Sequence, residues 1–293
     1  MIPEIDYFKP ENLEQALQTL ASDEGKTRLL AGGTDIIPGF HINSKRFREV
    51  RRLVDISGLP ELTAIEFQED GLHIGAAATF SSIVKNPLIR ERYPLLVESS
   101  RQIGSVQIRN RATIAGNFIN NAPCADSVPP LLIYDAQIVV RSLDTQRRLP
   151  LADFLLRPYR TQLNANEMVT EIILPEISQE YQGEFYKLGR RRGVAISRIT
   201  LAVLLKMRDD VIDDIRIAAG AITPIGKRFP DLEAMAIGQK ADPDFLKELA
   251  VRLGKDILEI TGLRWSSAYK LPVVQQAFYV MLRRLGKAKE VKS

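Results

Sequence analysis

A pair of glycines that follows a short apolar run constrains this chain more than any other stretch. Residues 27–31 are predicted to form a buried strand, and Gly32 and Gly33 end it before Thr34 and Asp35 begin the next segment. Without Cβ atoms, the two glycines let the backbone turn at positive φ and leave its N–H groups open to a ligand. A helix that begins just beyond them would favour a negatively charged group. The stretch is interpreted either as a plain turn, which strand–Gly–Gly sequences often form, or as part of a site for an anion such as a pyrophosphate.

Composition limits the kinds of chemistry that the chain can carry out. At 293 residues, with 45% hydrophobic and 26% charged residues, it is expected to form one large or two medium globular domains. Lys and Arg total 40 against 36 Asp and Glu, so charge gives no reason to expect a nucleic-acid partner. Cys124 is the only cysteine, which excludes an internal disulfide and every multi-cysteine metal or iron–sulfur site. The only histidines are His41 and His73, far apart in sequence, so the residues for a metal site or a Ser-His-Asp triad are too few. A redox function would therefore need an organic cofactor.

The start of the chain and its hydropathy bear on its location. Met1 to Asp6 has no basic region followed by an apolar stretch, and nowhere do about 18 apolar residues run together. We therefore expect no membrane span and a cytoplasmic protein.

The spacing of apolar residues predicts alternating strands and helices as far as residue 178. Pro10 suits a first helical position, and the apolar residues from Leu13 to Leu20 then fall on one face of a helix that packs on a sheet. Asp70-Gly71 predicts a hairpin turn, and Thr79 is predicted to start a helix. The other predicted elements are strands at 27–31, 52–56, 62–67, 72–76, 136–141 and 168–174, and helices at 94–103, 131–134 and 151–155.

From about residue 179 the pattern changes to consecutive strands followed by helices. Strands are predicted at 183–188, 199–207 and 215–222, and helices at 244–260 and 272–285. Strands at hairpin distance favour an antiparallel sheet, so this part is predicted to be a second, smaller α+β domain. The pairs Asp209-Asp210 and Asp213-Asp214 are interpreted as parts of an exposed turn rather than a metal or acid–base site.

A second stretch combines glycine with many small polar side chains. Residues 107–127 are rich in Asn, Thr and Asp without the charge runs of a solvated linker, which is too polar for a core element. The stretch is interpreted as a ligand-binding loop or, alternatively, as a long turn. Residues 220–227 do not match the glycine spacing of a phosphate-binding P-loop, and no Gly-x-Gly-x-x-Gly follows a strand.

Read together, two motifs give the chain a family resemblance. The run 31–35 (Ala-Gly-Gly-Thr-Asp) and the run from Gln107 through Thr113-Ile114-Ala115-Gly116-Asn117 to Asp126 resemble the FAD-binding subunit of molybdenum hydroxylases. These are the medium chains of the xanthine dehydrogenase and carbon monoxide dehydrogenase family. The resemblance extends over nearly the whole chain, from Phe8-Lys9-Pro10 to 185–188 and the C-terminal helices. Ala115 departs from the glycine that the family commonly has there.

The resemblance implies an α+β fold made of two domains. An FAD-binding domain of the PCMH type would occupy residues 1–178, with lobes at about 1–57 and 58–178. A smaller flavoprotein C-terminal domain, an antiparallel sheet with helices, would occupy 179–288.

The resemblance also implies which residues bind FAD. The first loop would hold the diphosphate, and the second would contact the cofactor, with Gly104 allowing its close approach. Asp126 would bind a hydroxyl, while Val169 and Lys187 would lie near the flavin ring, where a cation favours the anionic reduced form. The complete predicted set is Leu30, Ala31, Gly32, Gly33, Thr34, Asp35, Ile36, Gly104, Thr113, Ile114, Ala115, Gly116, Asn117, Asp126, Val169 and Lys187.

In function, the chain is expected to be an FAD-dependent oxidoreductase subunit. It would take electrons from a [2Fe-2S] small subunit and pass them to an acceptor such as NAD, while a molybdopterin-binding large subunit oxidises the substrate. The iron–sulfur and molybdopterin cofactors would lie in those partner subunits only, and no catalytic residue is expected on this chain. Two alternatives are a self-contained FAD oxidoreductase of the same fold and a non-catalytic nucleotide-binding scaffold, in which the basic turn at Arg190-Arg191-Arg192 binds an anion.

Overall fold

The computed structural model describes residues 4–22, 25–191 and 193–287, so the first three residues and Arg192 of the basic turn lie outside the described residues. Two compact units make up the chain, and each draws on several stretches of sequence. Unit 1 comprises the described residues of Met1–Pro87, Ile103–Ala122 and Asp135–Glu176. Unit 2 comprises those of Leu88–Gln102, Pro123–Tyr134 and Ile177–Ser293.

The strands, in chain order, are β1 (Asp6–Phe8), β2 (Thr27–Leu30), β3 (Arg52–Asp55), β4 (Ile65–Gln68), β5 (Gly71–Gly75), β6 (Gln137–Arg141), β7 (Gln146–Pro150), β8 (Leu155–Arg157), β9 (Arg160–Thr161), β10 (Met168–Leu174), β11 (Gln182–Gly189), β12 (Ser197–Arg208), β13 (Val211–Gly220) and β14 (Lys227–Arg228).

The α-helices, in chain order, are α1 (Leu13–Ala21), α2 (Ile36–His41), α3 (Phe80–Lys85), α4 (Pro87–Arg92), α5 (Pro94–Arg101), α6 (Val106–Arg109), α7 (Ile114–Asn120), α8 (Val128–Ile133), α9 (Leu151–Phe154), α10 (Pro230–Ala236), α11 (Pro243–Thr261) and α12 (Ser267–Lys287). Short 3-10 helices lie at Lys45–Phe47 and Pro60–Leu62.

The first sheet of unit 1 is a small parallel sheet in the order β1-β3-β2. Asn12 caps α1 by accepting a hydrogen bond from the Gln15 N–H at 3.0 Å. The buried face of α1, which includes Leu17 and Leu20, packs with Val54 of β3. The predicted helix and strands of this region are therefore confirmed.

The second sheet of unit 1 is antiparallel, in the order β4-β5-β10-β6-β7. A tight turn joins β4 to β5 between Gln68 and Gly71, as predicted, but its two central residues are Glu69 and Asp70, and Gly71 is the first residue of β5. Gly71 has φ +137°, and a Cβ there would lie 2.2 Å from the Leu174 carbonyl oxygen. The prediction that a strand begins at Leu62 was wrong, because Leu62 ends a 3-10 helix and β4 begins at Ile65. Strand β7, whose side chains alternate between partly buried and exposed, was not predicted from the sequence.

The polar stretch 107–127 is not one long loop. Residues 114–120 form α7, which buries Ile114, Ala115 and Phe118. The rings of Phe118 and Phe154 meet edge to face with centroids 6.0 Å apart. These three apolar residues, at positions i, i+1 and i+4, lie on one side of the helix and bury it against unit 1. The expectation that the stretch is too polar for a core element was therefore wrong for residues 114–120.

Unit 2 is built on the predicted antiparallel sheet, in the order β11-β12-β13-β14. Its core joins β12 and β13 to α10, α11 and α12 through side chains such as Val203, Ile217, Leu253 and Phe278. The last helix was predicted to begin at Pro272, but it begins at Ser267 and carries the proline inside its second turn.

The second aspartate pair lies in a strand rather than in a turn. Asp209 and Asp210 occupy the turn before β13, as predicted, but Asp213 and Asp214 belong to β13 itself. Asp213 pairs with Lys206 at 3.1 Å, and Asp214 accepts a hydrogen bond from the Tyr181 hydroxyl. These carboxylates are therefore partners within the sheet.

Among the residues that the structure describes, no helix combines the length and the apolar character needed to cross a membrane.

Candidate functional site

The first glycine loop connects β2 to α2 in unit 1. Its flanking apolar side chains anchor it on both sides: Leu29 and Ala31 pack on the cluster that contains Val54, while Leu30 and Ile36 pack on the cluster that contains Phe40. The loop is thus held between two small cores. Its glycines, together with Thr34 and Asp35, remain at the surface or partly exposed.

Both glycines of the first loop are required by geometry. Gly33 has φ +72°, a conformation that side chains with a Cβ rarely adopt. Its carbonyl accepts the hydrogen bond from the Ile37 N–H at 3.1 Å that starts α2. Gly32 has a different reason: a Cβ there would lie 2.0 Å from the Arg111 carbonyl oxygen and 2.9 Å from the Ala112 Cα. The two glycine-bearing loops therefore touch, backbone to backbone, at Gly32.

The second loop is a capped helix start. Thr113 is buried, and its Oγ1 accepts a hydrogen bond from the Gly116 N–H at 3.2 Å at the beginning of α7. A Cβ at Gly116 would lie 2.8 Å from that Oγ1, so glycine keeps the cap close. Asn117 donates its backbone N–H to the Thr113 carbonyl at 3.1 Å.

Residues 76–80, which follow β5, hold the second loop through backbone hydrogen bonds. The Ile114 N–H donates to the Ala78 carbonyl at 3.0 Å, and the Phe80 N–H donates to the Ala112 carbonyl at 3.0 Å. Ala115, where the family commonly has glycine, is buried and donates its N–H to the Ala76 carbonyl at 3.3 Å. Its methyl group is accommodated within unit 1.

Gly104 and Val169 also belong to unit 1, and each has a clear local role. Gly104 adopts φ +48°, and its carbonyl accepts a hydrogen bond from the Arg109 guanidinium at 3.1 Å. Val169 is buried in β10 opposite Val140, next to a bulge at Thr170. The Thr170 carbonyl accepts from the Ala76 N–H at 3.0 Å, so this bulge bonds to the segment that also supports the second loop.

Asp126 and Lys187, the other two predicted residues, form a buried cluster in unit 2. The Lys187 ammonium lies 2.6 Å from one Asp126 oxygen, and the Ser197 hydroxyl donates to the other at 2.5 Å. Lys187 also donates to the Gln102 carbonyl at 2.7 Å. Burial raises the pKa of the Asp126 carboxyl, against the opposing effects of the Lys187 charge and the Ser197 hydroxyl. Ser197 was not predicted from the sequence.

Sequence reasoning also missed Arg46. Its guanidinium lies 3.1 Å from an Asp35 oxygen, donates to the Asn120 side-chain carbonyl, and stacks over Phe47 and Tyr159. Apart from the neighbouring Phe47, these partners come from three other segments of unit 1, so a local motif could not have revealed them. Nor did the sequence predict that Tyr7 of β1 donates its hydroxyl to Asp55 of β3 at 2.5 Å.

Arg191 of the basic turn forms hydrogen bonds within the same turn. Arg191 donates two hydrogen bonds to the Val194 carbonyl, at 3.1 and 2.7 Å, and Val194 adopts φ +46°. The arginine closes the turn that follows β11, which is a structural use of its charge.

Taken together, the paired loops of unit 1 offer groups of the kind that hold an anionic ligand. They offer glycine backbone at Gly33 and Gly116 and small polar side chains at Thr34 and Asn117. Backbone donors and small side chains hold a group without reacting with it, so the chemistry would belong to the bound group.

Comparison with known proteins supports this description. The family model for the FAD binding domain in molybdopterin dehydrogenase matches residues 3–177, and that for the CO dehydrogenase flavoprotein C-terminal domain matches residues 184–285. The glyceraldehyde dehydrogenase medium chain of Sulfolobus acidocaldarius is 31% identical over 274 residues, which covers 93% of this chain and 95% of the relative. The xanthine dehydrogenase FAD-binding subunit of Escherichia coli is 31% identical over 271 residues, covering 92% and 91%.

The fold is shared with a solved structure as well. A carbon monoxide dehydrogenase from Hydrogenophaga pseudoflava, which lacks the Mo-pyranopterin moiety of its molybdenum cofactor, superposes with a TM-score of 0.89 at 25% identity. The match covers 97% of this chain and 98% of that one. Fold and sequence together define an FAD-dependent oxidoreductase subunit. The chain belongs to the family of FAD-binding medium subunits of xanthine dehydrogenase and carbon monoxide dehydrogenase-type molybdenum hydroxylases.

Proposed function

We propose that this chain is the electron-transfer subunit of a molybdenum hydroxylase complex. It receives electrons from a [2Fe-2S] small subunit and delivers them to an acceptor such as NAD. A molybdopterin-binding large subunit oxidises the substrate. The observation that carries the proposal is the contact of Gly32 with the Arg111–Ala112 backbone, because it makes the two predicted FAD loops neighbours within one unit.

Within this proposal, the first loop binds the diphosphate of FAD. Gly32 and Gly33 leave the backbone bare, and Leu30, Ala31 and Ile36 hold the loop through their packing. Backbone N–H groups from Gly33 to Asp35 then offset the phosphate charge. FAD, when bound, supplies the capacity to hold two electrons and to exchange them with one-electron and two-electron partners.

The other predicted residues are those of the second loop, Gly104 and Val169 in unit 1, and the Asp126–Lys187 pair in unit 2. Thr113 to Asn117 present a capped helix start to the cofactor, and Gly104 adopts φ +48° in tight contact with the Ile108 side chain, where a Cβ would clash. Asp126 would accept a hydrogen bond from a hydroxyl of FAD, and Lys187, whose ammonium lies 2.6 Å from Asp126, would supply a positive charge to the cofactor. Val169 contributes apolar surface from β10. The Asp126–Lys187 pair fixes the position of both charged groups before any ligand arrives.

The partners and domain limits are part of the same proposal. Relatives that cover most of this chain are named medium chains and FAD-binding subunits, which fits a complex with other subunits. The limits 1–178 and 179–288, the lobes at about 1–57 and 58–178, and the cytoplasmic location remain predictions.

FAD reconstitution of the purified full chain tests the cofactor site. We expect one FAD per chain with a yellow flavin spectrum, and loss of FAD retention in Gly33→Val, because valine cannot readily adopt φ +72°. Unit 2 should stay folded in the variant, so that its far-ultraviolet circular dichroism spectrum still shows the helices and strands of that unit. A Gly33→Val protein that purifies with stoichiometric FAD would show that this loop does not hold the diphosphate.

A second experiment tests the direction of electron flow. The reconstituted subunit is mixed anaerobically with NADH, and the flavin absorbance is followed; bleaching is expected if NAD is the acceptor. Steady-state turnover of a substrate by the chain without partners would instead favour the self-contained oxidoreductase. Flavin that the complete complex cannot reduce with its substrate would favour the scaffold.

A further inference from the structure

Arg46 is held in one place by contacts on several sides. Arg46 is the second residue of the 3-10 helix Lys45–Phe47, and its backbone N–H donates a hydrogen bond to the Ser44 hydroxyl that caps this helix. The guanidinium carbon lies 4.8 Å from the centre of the Phe47 ring and 4.5 Å from that of Tyr159. Two aromatic faces restrict the planar group far more than solvent would.

Tyr159 and Asn120, which contact Arg46, belong to a part of unit 1 that is itself tied together. Asn121, at φ +46°, donates its side-chain amide to the Arg157 and Arg160 carbonyls at 2.9 and 3.0 Å. The Tyr159 N–H donates to the Asn121 carbonyl at 3.0 Å. These bonds attach the β8–β9 hairpin to the C-terminal end of α7, the helix that begins in the second glycine loop. Arg46 contacts both parts, through Asn120 of α7 and Tyr159 of the hairpin.

Asp35 is where Arg46 meets the first glycine loop. Asp35 stands at the N-terminal boundary of α2, yet its side chain makes no capping hydrogen bond to that helix. Its carboxylate instead lies 3.1 Å from the Arg46 guanidinium. The side chains are 36% and 46% exposed for Arg46 and Asp35, so the pair lies at the surface but is fixed by the stacking described above.

We propose that Arg46 is a positioning residue of the FAD site, which cancels the charge of Asp35 and holds its carboxylate away from the first loop's backbone donors. The inference rests on the proposed function, since it requires the first loop to hold the diphosphate. A free carboxylate beside those donors would repel a diphosphate and compete with it for the same N–H groups. Arg46 removes both effects through its ion pair with Asp35.

The test compares FAD binding by four full-length proteins: wild type, Arg46→Ala, Asp35→Asn and the double variant. Flavin fluorescence is titrated at low and at physiological salt. We expect Arg46→Ala to weaken FAD binding about tenfold, most strongly at low salt where charges are least screened. Asp35→Asn in the Arg46→Ala background should recover most of that loss, because it removes the unpaired carboxylate.

A matched control separates this role from a general loss of surface charge. Arg52 pairs with Asp6 at 3.6 Å in the same unit, with a similarly exposed side chain, but outside both loops. Arg52→Ala should leave the FAD dissociation constant unchanged. If Arg46→Ala does not fold by circular dichroism, Arg46→Gln, which keeps the stem and removes the charge, takes its place.

The outcomes distinguish this inference from the proposed function. A wild-type chain that binds no FAD contradicts the proposed function itself. FAD binding by Arg46→Ala equal to wild type overturns the role of Arg46. A double variant that binds no better than Arg46→Ala overturns charge cancellation, since a purely structural loss would not be rescued at Asp35. Recovery together with a reduced salt effect supports the inference.

Discussion

The predicted FAD residues of unit 1 and those of unit 2 are built in opposite ways. In unit 1 the important groups are backbone atoms near the surface, shaped by glycines and by the contact between Gly32 and Arg111. In unit 2 they are charged side chains, Asp126 and Lys187, and both are more than nine-tenths buried. The first kind of site is shaped by the absence of side chains, and the second by the pairing of side chains.

This difference predicts how the two regions respond to substitution. Loops that touch through backbone tolerate little added volume, but their polar groups can return to water when a ligand is lost. A buried ion pair cannot do so, because removal of one partner leaves the other charge without compensation. Substitutions in the loops should therefore affect mainly FAD binding, and substitutions in the cluster should affect mainly folding.

The largest expected effect is that of Lys187→Met. The change leaves the Asp126 carboxylate buried with only the Ser197 hydroxyl as its side-chain donor among the described contacts. We expect a loss of about 3–5 kcal/mol in the free energy of unfolding at neutral pH, measured by urea denaturation. Lys240→Met is the control, because Lys240 and Asp210 form an exposed pair at 3.1 Å, and solvent screening means that its loss should barely change the free energy of unfolding. Equal losses in both variants would contradict the importance of burial.

The next effect is that of Gly32→Ala. The added methyl group would meet the Arg111 carbonyl at 2.0 Å, so the two loops must separate. We expect a destabilisation of about 1–3 kcal/mol together with loss of bound FAD, measured by thermal unfolding and flavin absorbance. Gly58→Ala is the control, because its methyl group would meet only the Lys9 side chain, at 3.7 Å. An unchanged flavin content in Gly32→Ala would show that the contact between the loops is not needed for binding.

A smaller effect is expected for Thr113→Ala. Removal of the cap should cost about 1 kcal/mol in stability. Asn12→Ala, which removes the equivalent cap from α1 at Gln15, should cost a similar amount. Only the Thr113 variant should also bind FAD more weakly, as measured by flavin fluorescence titration. If both variants lose FAD equally, the second loop has no special place in the site.

The smallest effect concerns pH and His73, which lies outside both regions. Burial lowers the pKa of His73, but Asp70 at 2.6 Å and Glu171 at 2.9 Å outweigh it, and the pKa is raised overall. His73 also helps to lower the pKa of Asp70 to about 2. A raised histidine pKa means that this stabilisation is complete below the unfolded value of about 6.5 and is lost as pH rises through the folded value.

The melting temperature should therefore fall as the pH rises from about 6.5 through the folded pKa of His73. His73→Gln should flatten this dependence, whereas His41→Gln should leave it in place. The measurement is thermal unfolding across a pH series at constant ionic strength. A pH dependence that survives in His73→Gln would mean that another group titrates.

The sequence predicted elements well where local pattern and packing agree. The strand Met168–Leu174 was predicted with the observed bounds, because a nearly continuous run of apolar and β-branched residues suits a strand buried between two neighbours. Thr79 was likewise predicted to start a helix, since a hydroxyl before an apolar run is a common cap.

The sequence failed where distant partners decide the structure. The strand Gln146–Pro150 has a polar sequence and lies at the sheet edge, where one neighbour is enough to hold it. Ser197 and Arg46 carry no motif, and the hydrogen bond from Arg46 to Asn120 spans 74 positions. Glycine spacing suggested the candidate loops, but the groups that orient them depend on tertiary contacts.

Strand β12 contributes to holding the Asp126–Lys187 cluster of unit 2 in place. It lies between β11 and β13, and every residue from Ile199 to Leu205 is buried. Amide hydrogens in such a central strand exchange with deuterium only when a large part of the structure opens. Since Ser197 begins this strand and donates to Asp126, the cluster is attached to a central strand that we expect to exchange slowly. Asp126 should therefore keep its orientation through the local openings that expose other loops to solvent.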